Sequence, residues 1–252
     1  MNVLRSEWTK LRSVRSTWIA ALSAVVTAVA LGALGVSDVL TGSPSDLPAG
    51  WDPTAASLKG LLLAQLIVGM LGALSITPEF GTGLIGASLV VVPGRSRLLA
   101  AKAVVVAAVA FATGLVATLT SFTVVRLLLR GAGQPAAGPG DPGVVRALAG
   151  AVLYLTCIAL LGLAVGALVR SSTTSLAVLV GALLLAPALM PALPGALGGR
   201  LAQYWPITAG QAAYAVVDRP GAVAAPLGLA ILAAATALTG VAGRLVLRRR
   251  DV

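Results

Sequence analysis

Residues 144–169 read VVRALAGAVLYLTCIALLGLAVGALV, a long apolar stretch in which Arg146 is the only charged side chain. A helix needs about 20 apolar residues to cross about 30 Å of hydrocarbon at about 1.5 Å per residue. The stretch is apolar all round rather than striped, and it lacks the alternation of a membrane β-strand. It therefore predicts a helix that spans a membrane.

Five further stretches have the same character: residues 18–35, 58–77, 103–127, 174–193 and 223–245. The composition agrees, because 58% of the residues are apolar and only 10% are charged, against about 25% charged in a soluble domain. A large soluble helical protein would need charged outer faces, which these stretches lack. We therefore expect an all-α, polytopic membrane protein with six transmembrane helices and a single domain over residues 1–252.

The basic residues predict the orientation of the chain. If the amino terminus is cytoplasmic, both termini and the second and fourth connections lie inside and carry twelve of the 18 Lys and Arg residues. The basic stretch before the first span also resembles a secretory signal, but five later spans favour an uncleaved helix.

Several function classes lose support from composition. The net charge of +10 flanks the spans, and the 4 Trp, 3 Tyr and 3 Phe are scattered, so no nucleic-acid surface is expected. Histidine is absent and no carboxylate lies within a span, so we expect no metal site, no catalytic site and no ion-coupled carrier. Cys157 is the only cysteine, which excludes an intramolecular disulfide.

Residues 1–16 predict an interfacial helix before the first span. Leu4, Trp8 and Leu11 share one helical face with Trp18, and Lys10, Arg12 and Arg15 lie among the polar positions. This is the pattern of a helix lying in the lipid headgroups, with its apolar side toward the acyl chains. A basic anchor without further function fits equally well.

Residues 79–97 form the connection between the second and third spans. Glu79 ends an apolar run, the next residues can form a short amphipathic helix, and Arg95 and Arg97 precede the third span. Such a helix would offer a soluble partner an acidic cap and an apolar face. A plain surface turn is the alternative.

Residues 187–221 contain Pro187, Pro191 and Pro194, followed by several glycines. Proline removes an amide donor and disfavours helix before it, so the fifth span should kink or stop here. The segment can hold external half-helices or an ordinary loop.

Polar side chains inside the spans are few. Those that could line a transport path are Gln65, Thr118, Ser121 and Thr156. The small residues Gly69, Gly72, Gly162 and Gly166 are instead expected to permit close helix packing.

Two short motifs resemble permeases of ABC exporters of the second export type, especially actinobacterial ones. They are Glu7-Trp8-Thr9-Lys10-Leu11-Arg12-Ser13, and Glu79-Phe80-Gly81-Thr82-Gly83 followed by Pro93-Gly94-Arg95. The resemblance implies an elbow helix over residues 4–15, a coupling helix at 79–88 that docks on an ATPase, and half-helices within 187–205 near the exit. The residues implied in docking are Glu79, Phe80, Gly81, Thr82, Gly83, Arg95 and Arg97. The commoner form of the second motif continues Thr-Gly-Thr-Ile, where this chain has Thr82-Gly83-Leu84-Ile85.

The chain has no ATP-binding loop, because Lys10, Lys59 and Lys102 follow Thr, Leu and Ala instead of the required Gly. ATP and Mg²⁺ would therefore be bound by a separate ATP-binding cassette ATPase. The function expected is that of a non-catalytic permease subunit in a bacterial cell membrane, paired with a second copy or a paralogue and surrounded by lipid. It would export a drug-like or lipid-like solute. Two rivals are a non-transporting component, such as an assembly factor or sensor, and an intramembrane enzyme.

Overall fold

The structure is a computed structural model that describes residues 3–48, 50–81, 95–194, 196–217 and 221–249. Its helices, as labelled below, are α1 (Val3–Ser13), α2 (Arg15–Leu34), α3 (Ser37–Thr41), α4 (Pro53–Ser57), α5 (Leu61–Leu74), α6 (Thr77–Gly81), α7 (Arg95–Gly131), α8 (Val144–Val169), α9 (Ser172–Val180), α10 (Ala186–Leu189), α11 (Ala196–Tyr204), α12 (Pro206–Gln211) and α13 (Ala225–Arg249). The described part of the chain contains no β-strand, which confirms the all-α fold.

Five helical stretches within the described residues are long and apolar enough to cross a membrane. They are Arg15–Thr41, Ser96–Gly131, Val144–Val169, Ser172–Ala192 and Ala225–Val246. They confirm a multi-pass membrane protein and correspond to the first, third, fourth, fifth and sixth predicted spans.

The second predicted span, residues 58–77, is not one long helix. Its core is α5, which has 14 residues and is therefore about 21 Å long. Tighter turns flank it: the amides of Leu61 and Leu62 donate to the carbonyls of Leu58 and Lys59, three residues back. The interruption is tolerated because the backbone at these turns pairs with itself and Leu58 and Ile76 are buried in protein rather than exposed to lipid.

The centre of the bundle is formed by α5 and α8, which pack against each other. Helix α5 also packs on α2, and α8 on α7 and α13. Two glycines allow this approach, since a methyl group at Gly72 would overlap the carbonyl of Ala159, and one at Gly162 the carbonyl of Gly69. These two glycines therefore serve helix packing, as their spacing predicted.

The fifth span is irregular where prolines were expected to disturb it. A π-helical turn, Gly181–Leu185, joins α9 to α10, and the winding ends in a 3₁₀ turn at Met190–Ala192. Pro187 has no amide hydrogen for the carbonyls of Ala182 and Leu183. The Trp205 indole donates to the Ala182 oxygen at 2.9 Å, and the Gln65 amide to the Leu183 oxygen at 3.5 Å. Residues 196–211 then form two short helices, α11 and α12.

Polar contacts divide the bundle into two ends. At one, here called the α6 end, Glu79 meets Lys102, Phe80 meets Arg170, and Ser96 meets Arg244. At the other, the Asp52 end, Asp52 accepts hydrogen bonds from Val216 and Val217, Gln134 donates to Gly42, and Arg146 donates to Ala215. The second and fourth connections thus lie at the same end as α1, as the charge pattern requires.

Candidate functional site

A group of four charges, three of them largely shielded from solvent, lies at the α6 end. Both glutamates of the chain, Glu7 and Glu79, and two of its three lysines, Lys10 and Lys102, belong to it. The Lys102 ammonium is 2.7 Å from Glu7 Oε2, 2.7 Å from Glu79 Oε1 and 3.1 Å from the Ser75 carbonyl oxygen. Its three hydrogens therefore each have an acceptor.

Local helix geometry places each member of this charge cluster. On α1, Glu7 and Leu11 are one turn apart and both are buried, while Lys10, at 44% exposure, reaches back to Glu7 at 2.9 Å. On α7, Lys102 continues a buried face with Leu98 and Val106. Helix α6 brings Glu79 up to both lysines after the turn that ends α5. The cluster thus joins α1, α6 and α7 through side chains.

The electrostatics favour the charged forms. The cluster holds two carboxylates and two ammonium groups, so its formal charges cancel. Burial alone would raise the pKa of Glu7, but hydrogen bonds and attraction from Lys10 and Lys102 outweigh it and lower this pKa below the ordinary value of 4.5. Burial would lower the pKa of Lys10, but Glu7 and Glu79 raise it above 10.5. The ion pair between Glu7 and Lys10 therefore persists across the neutral range.

The predicted docking residues fall into three groups. Glu79 is only 14% exposed and is engaged with the two lysines, and Phe80 is half-buried against the core. Gly81 and Arg97 are exposed. Thr82 and Gly83 lie outside the described residues, as does the side chain of Arg95, whose backbone begins α7. Among the docking residues whose side chains the structure describes, Gly81 and Arg97 are the exposed ones, and docking itself stays a prediction.

The predicted elbow residues do not all face outward. A helix is present where one was predicted, and Leu4, Trp8, Lys10, Arg12 and Arg15 are exposed on it or at the start of α2. Leu11 is instead buried in the main core. The face that contacts the protein is that of Glu7 and Leu11, because Glu7 is drawn inward by Lys102. The lipid-facing arrangement predicted for Leu11 is therefore wrong.

The four residues predicted to line a path are buried or half-buried in the structure. Gln65 is fully buried and accepts a hydrogen bond from the Tyr154 hydroxyl. Ser121 is fully buried and donates to the carbonyls of Ser57 at 2.7 Å and Ala28 at 3.1 Å. Thr118 is fully buried, while Thr156 is half-buried and donates to Val152 of its own helix. No described hydrogen bond joins any two of the four, and their role in transport stays a prediction.

Sequence reasoning missed two members of the cluster, Glu7 and Lys102. One signal was available, since the chain has only two glutamates and both were expected on the inner side. The partner could not be chosen, because Lys102 lies 95 residues from Glu7 and 23 from Glu79.

Comparison with known families gives one match. Residues 3–186 match the family described as ABC-2 family transporter protein. A comparison with curated proteins finds no match. The matched region contains all four residues of the charge cluster and the first four predicted spans.

Proposed function

This chain belongs to the ABC-2 transporter family and is a multi-pass permease component of an ABC transporter; we propose that it is the permease half of an ATP-driven exporter in a bacterial cell membrane. The proposed transporter contains two permease chains, this one and a second copy or a paralogue, and two ATPase subunits. Both termini and the α6 end face the cytoplasm, and six segments cross the bilayer.

The observation that carries this proposal is the position of α6. This helix opens the predicted docking segment, and its Glu79 is ion-paired with α7 through Lys102 and with α1 through Lys10. A displacement of α6 by a docked ATPase would therefore be passed to α1 and α7 as well as to α5. Because Gly81 and Arg97 are exposed beside it, a partner can reach this end without disrupting the cluster.

The proposed solute is hydrophobic or amphipathic, drug-like or lipid-like. Among the described residues, the polar side chains at membrane depth mostly bond to backbone carbonyls within the chain, as Ser121 and Thr156 do. Walls of this kind suit an apolar cargo, and they discriminate weakly between one apolar solute and another.

The test compares the two exposed ends of a single helix. Arg97→Glu alters the α6 end of α7, and Arg130→Glu alters an exposed arginine at its opposite end. We expect Arg97→Glu to reduce both co-purification of the ATP-binding subunit and the stimulation of its ATP turnover, while Arg130→Glu leaves both unchanged. The unfolding temperature checks that both variants fold. Equal effects of the two substitutions, or none from either, would overturn docking at the α6 end.

A further inference from the structure

The turn between α8 and α9 contains a strained residue. Arg170 has φ 59°, and it is the only residue other than glycine with a positive φ in the part of the chain that the structure describes. Helices commonly end on a left-handed residue of this kind, but glycine is strongly preferred there because a side chain makes the conformation unfavourable. The amide of Arg170 donates to Gly166 at 2.9 Å and closes α8.

The Arg170 side chain is engaged with α6. Its guanidinium carbon lies 5.1 Å from the centre of the Phe80 ring, within the range of a cation–π interaction. A second contact joins the same two segments, since the hydroxyls of Thr77 and Ser172 are 2.7 Å apart. The turn is short, because Ser171 already caps α9 through Thr174.

A non-glycine residue in a strained conformation persists when its surroundings hold it there, and such positions often serve a function. Glycine at position 170 would remove the strain but also the only described aromatic–cation contact between the two connections. The Phe80 ring on α6 is a contact through which the arginine side chain can offset this strain.

We propose that Arg170 is a positioning residue for coupling, and that its contact with Phe80 transmits displacement of α6 to α8 and α9. This inference rests on the proposed function. The charge cluster links α6 to α1 and α7, while Arg170 and Ser172 link it to α8 and α9, which contribute no side chain to the cluster. A displacement of α6 is thereby transmitted to α1 and α7 through the charge cluster and to α8 and α9 through Arg170 and Ser172.

The test separates coupling from folding. Arg170→Gly relieves the backbone strain while deleting the cation, so its unfolding temperature should lie within about 3 °C of the unsubstituted protein or above it. Stimulation of ATP turnover in the co-purified ATPase, measured in lipid nanodiscs, should nevertheless fall by about fivefold, because this is the effect expected from the loss of one cation–π contact. Arg170→Lys keeps the cation and should retain most of the stimulation.

A double-mutant cycle with Phe80→Leu identifies the contact. If Arg170 acts through the Phe80 ring, Phe80→Leu alone should lower stimulation to a similar level, and the double variant should fall no further. Full stimulation in Arg170→Gly, additive losses in the double variant, or a loss that parallels a fall of more than about 6 °C in unfolding temperature would each overturn the inference. If the unsubstituted chain stimulates no ATPase, the proposed function itself fails and the inference falls with it.

Discussion

The two ends of the bundle are held together by different chemistry. At the α6 end, side chains pair with side chains, and the central ammonium of Lys102 is 2% exposed between two carboxylates. At the Asp52 end, side chains pair with backbone: Asp52 Oδ2 accepts the amides of Val216 and Val217 at 2.7 and 3.0 Å, and Gln134 donates to the Gly42 carbonyl at 2.8 Å. The centre of the first arrangement, Lys102 with Glu7, is shielded from solvent, whereas the second arrangement is partly open to it.

This difference bears on which end can open. Removing one partner of a buried ion pair costs about 3–5 kcal/mol, because the remaining charge has no water to solvate it. A partly exposed hydrogen bond contributes only about 0.5–1.5 kcal/mol, since water can replace the lost partner. The α6 end should therefore move as one connected unit, while the Asp52 end can separate at modest cost. The function proposed above, export driven from the α6 end, would use this asymmetry.

The largest expected effect is at Lys102. Lys102→Met keeps the length of the side chain but leaves Glu7 and Glu79 facing each other without their shared cation, so we expect a loss of about 3–5 kcal/mol in unfolding free energy. Denaturant unfolding in detergent measures it. The matched control is Lys59→Met, because Lys59 is exposed and, within the described residues, its ammonium donates to the Gly35 carbonyl without a carboxylate partner. Equal losses from the two substitutions would remove the distinction between buried and exposed charge.

A second prediction concerns acid. The pKa of Glu7 is lowered in the folded protein, so its contribution to stability is present above the ordinary value of 4.5 and is lost as the pH falls through the lower folded pKa. Unfolding temperature should therefore decline below about pH 4.5, and Glu7→Gln should flatten this decline while lowering stability at pH 7. Lys10 acts in the opposite sense, since its raised pKa preserves its contribution until the pH rises above 10.5. An unchanged acid profile in Glu7→Gln would show that Glu7 is not the titrating group.

What the sequence could predict depends on how local each feature is. The bounds of α8, Val144–Val169, match the predicted span because an uninterrupted apolar run determines them within one segment. The ion pair of Glu7 with Lys102 joins residues 95 positions apart. The local sequence around either residue does not indicate which residue will be its partner. The second span was predicted as a single helix because hydropathy does not distinguish a helix bathed in lipid from one enclosed by protein, where turns are tolerated.

The fifth span shows that the sequence can predict that a helix is irregular without predicting where the irregularity lies. Pro187 correctly predicted an irregular helix, but the irregularity is a π-helical turn on its amino-terminal side, at Gly181–Leu185. The carbonyls that Pro187 leaves without a donor are satisfied by Gln65 and Trp205, from other parts of the chain. The Trp205 indole, from outside the fifth span, thereby stabilises the span at its π-helical turn.

The smallest expected effect sharpens the comparison at the Asp52 end. Asp52 Oδ1 caps α4 through the amides of Thr54 and Ala55, and Oδ2 holds the amides of Val216 and Val217. Asp52→Asn keeps an oxygen for the cap, a position at which asparagine serves as well as aspartate. Its amide nitrogen cannot accept, so only the bonds to residues 216–217 are lost, at about 1–2 kcal/mol.

This loss of stability should raise the fraction of molecules whose Asp52 end is open by about 5–30-fold. Maleimide labelling of Val216→Cys, in a chain that also carries Cys157→Ala, measures this population as a rate, because Val216 packs against the cluster of Phe122, Ala137 and Val144 while the end is closed. Labelling at Leu98→Cys, which is buried at the α6 end of α7, should stay constant, and Asp38→Asn, which changes an exposed carboxylate elsewhere, should alter neither rate. Faster labelling at both ends would mean that Asp52 stabilises the bundle as a whole, and the two ends would then not open independently.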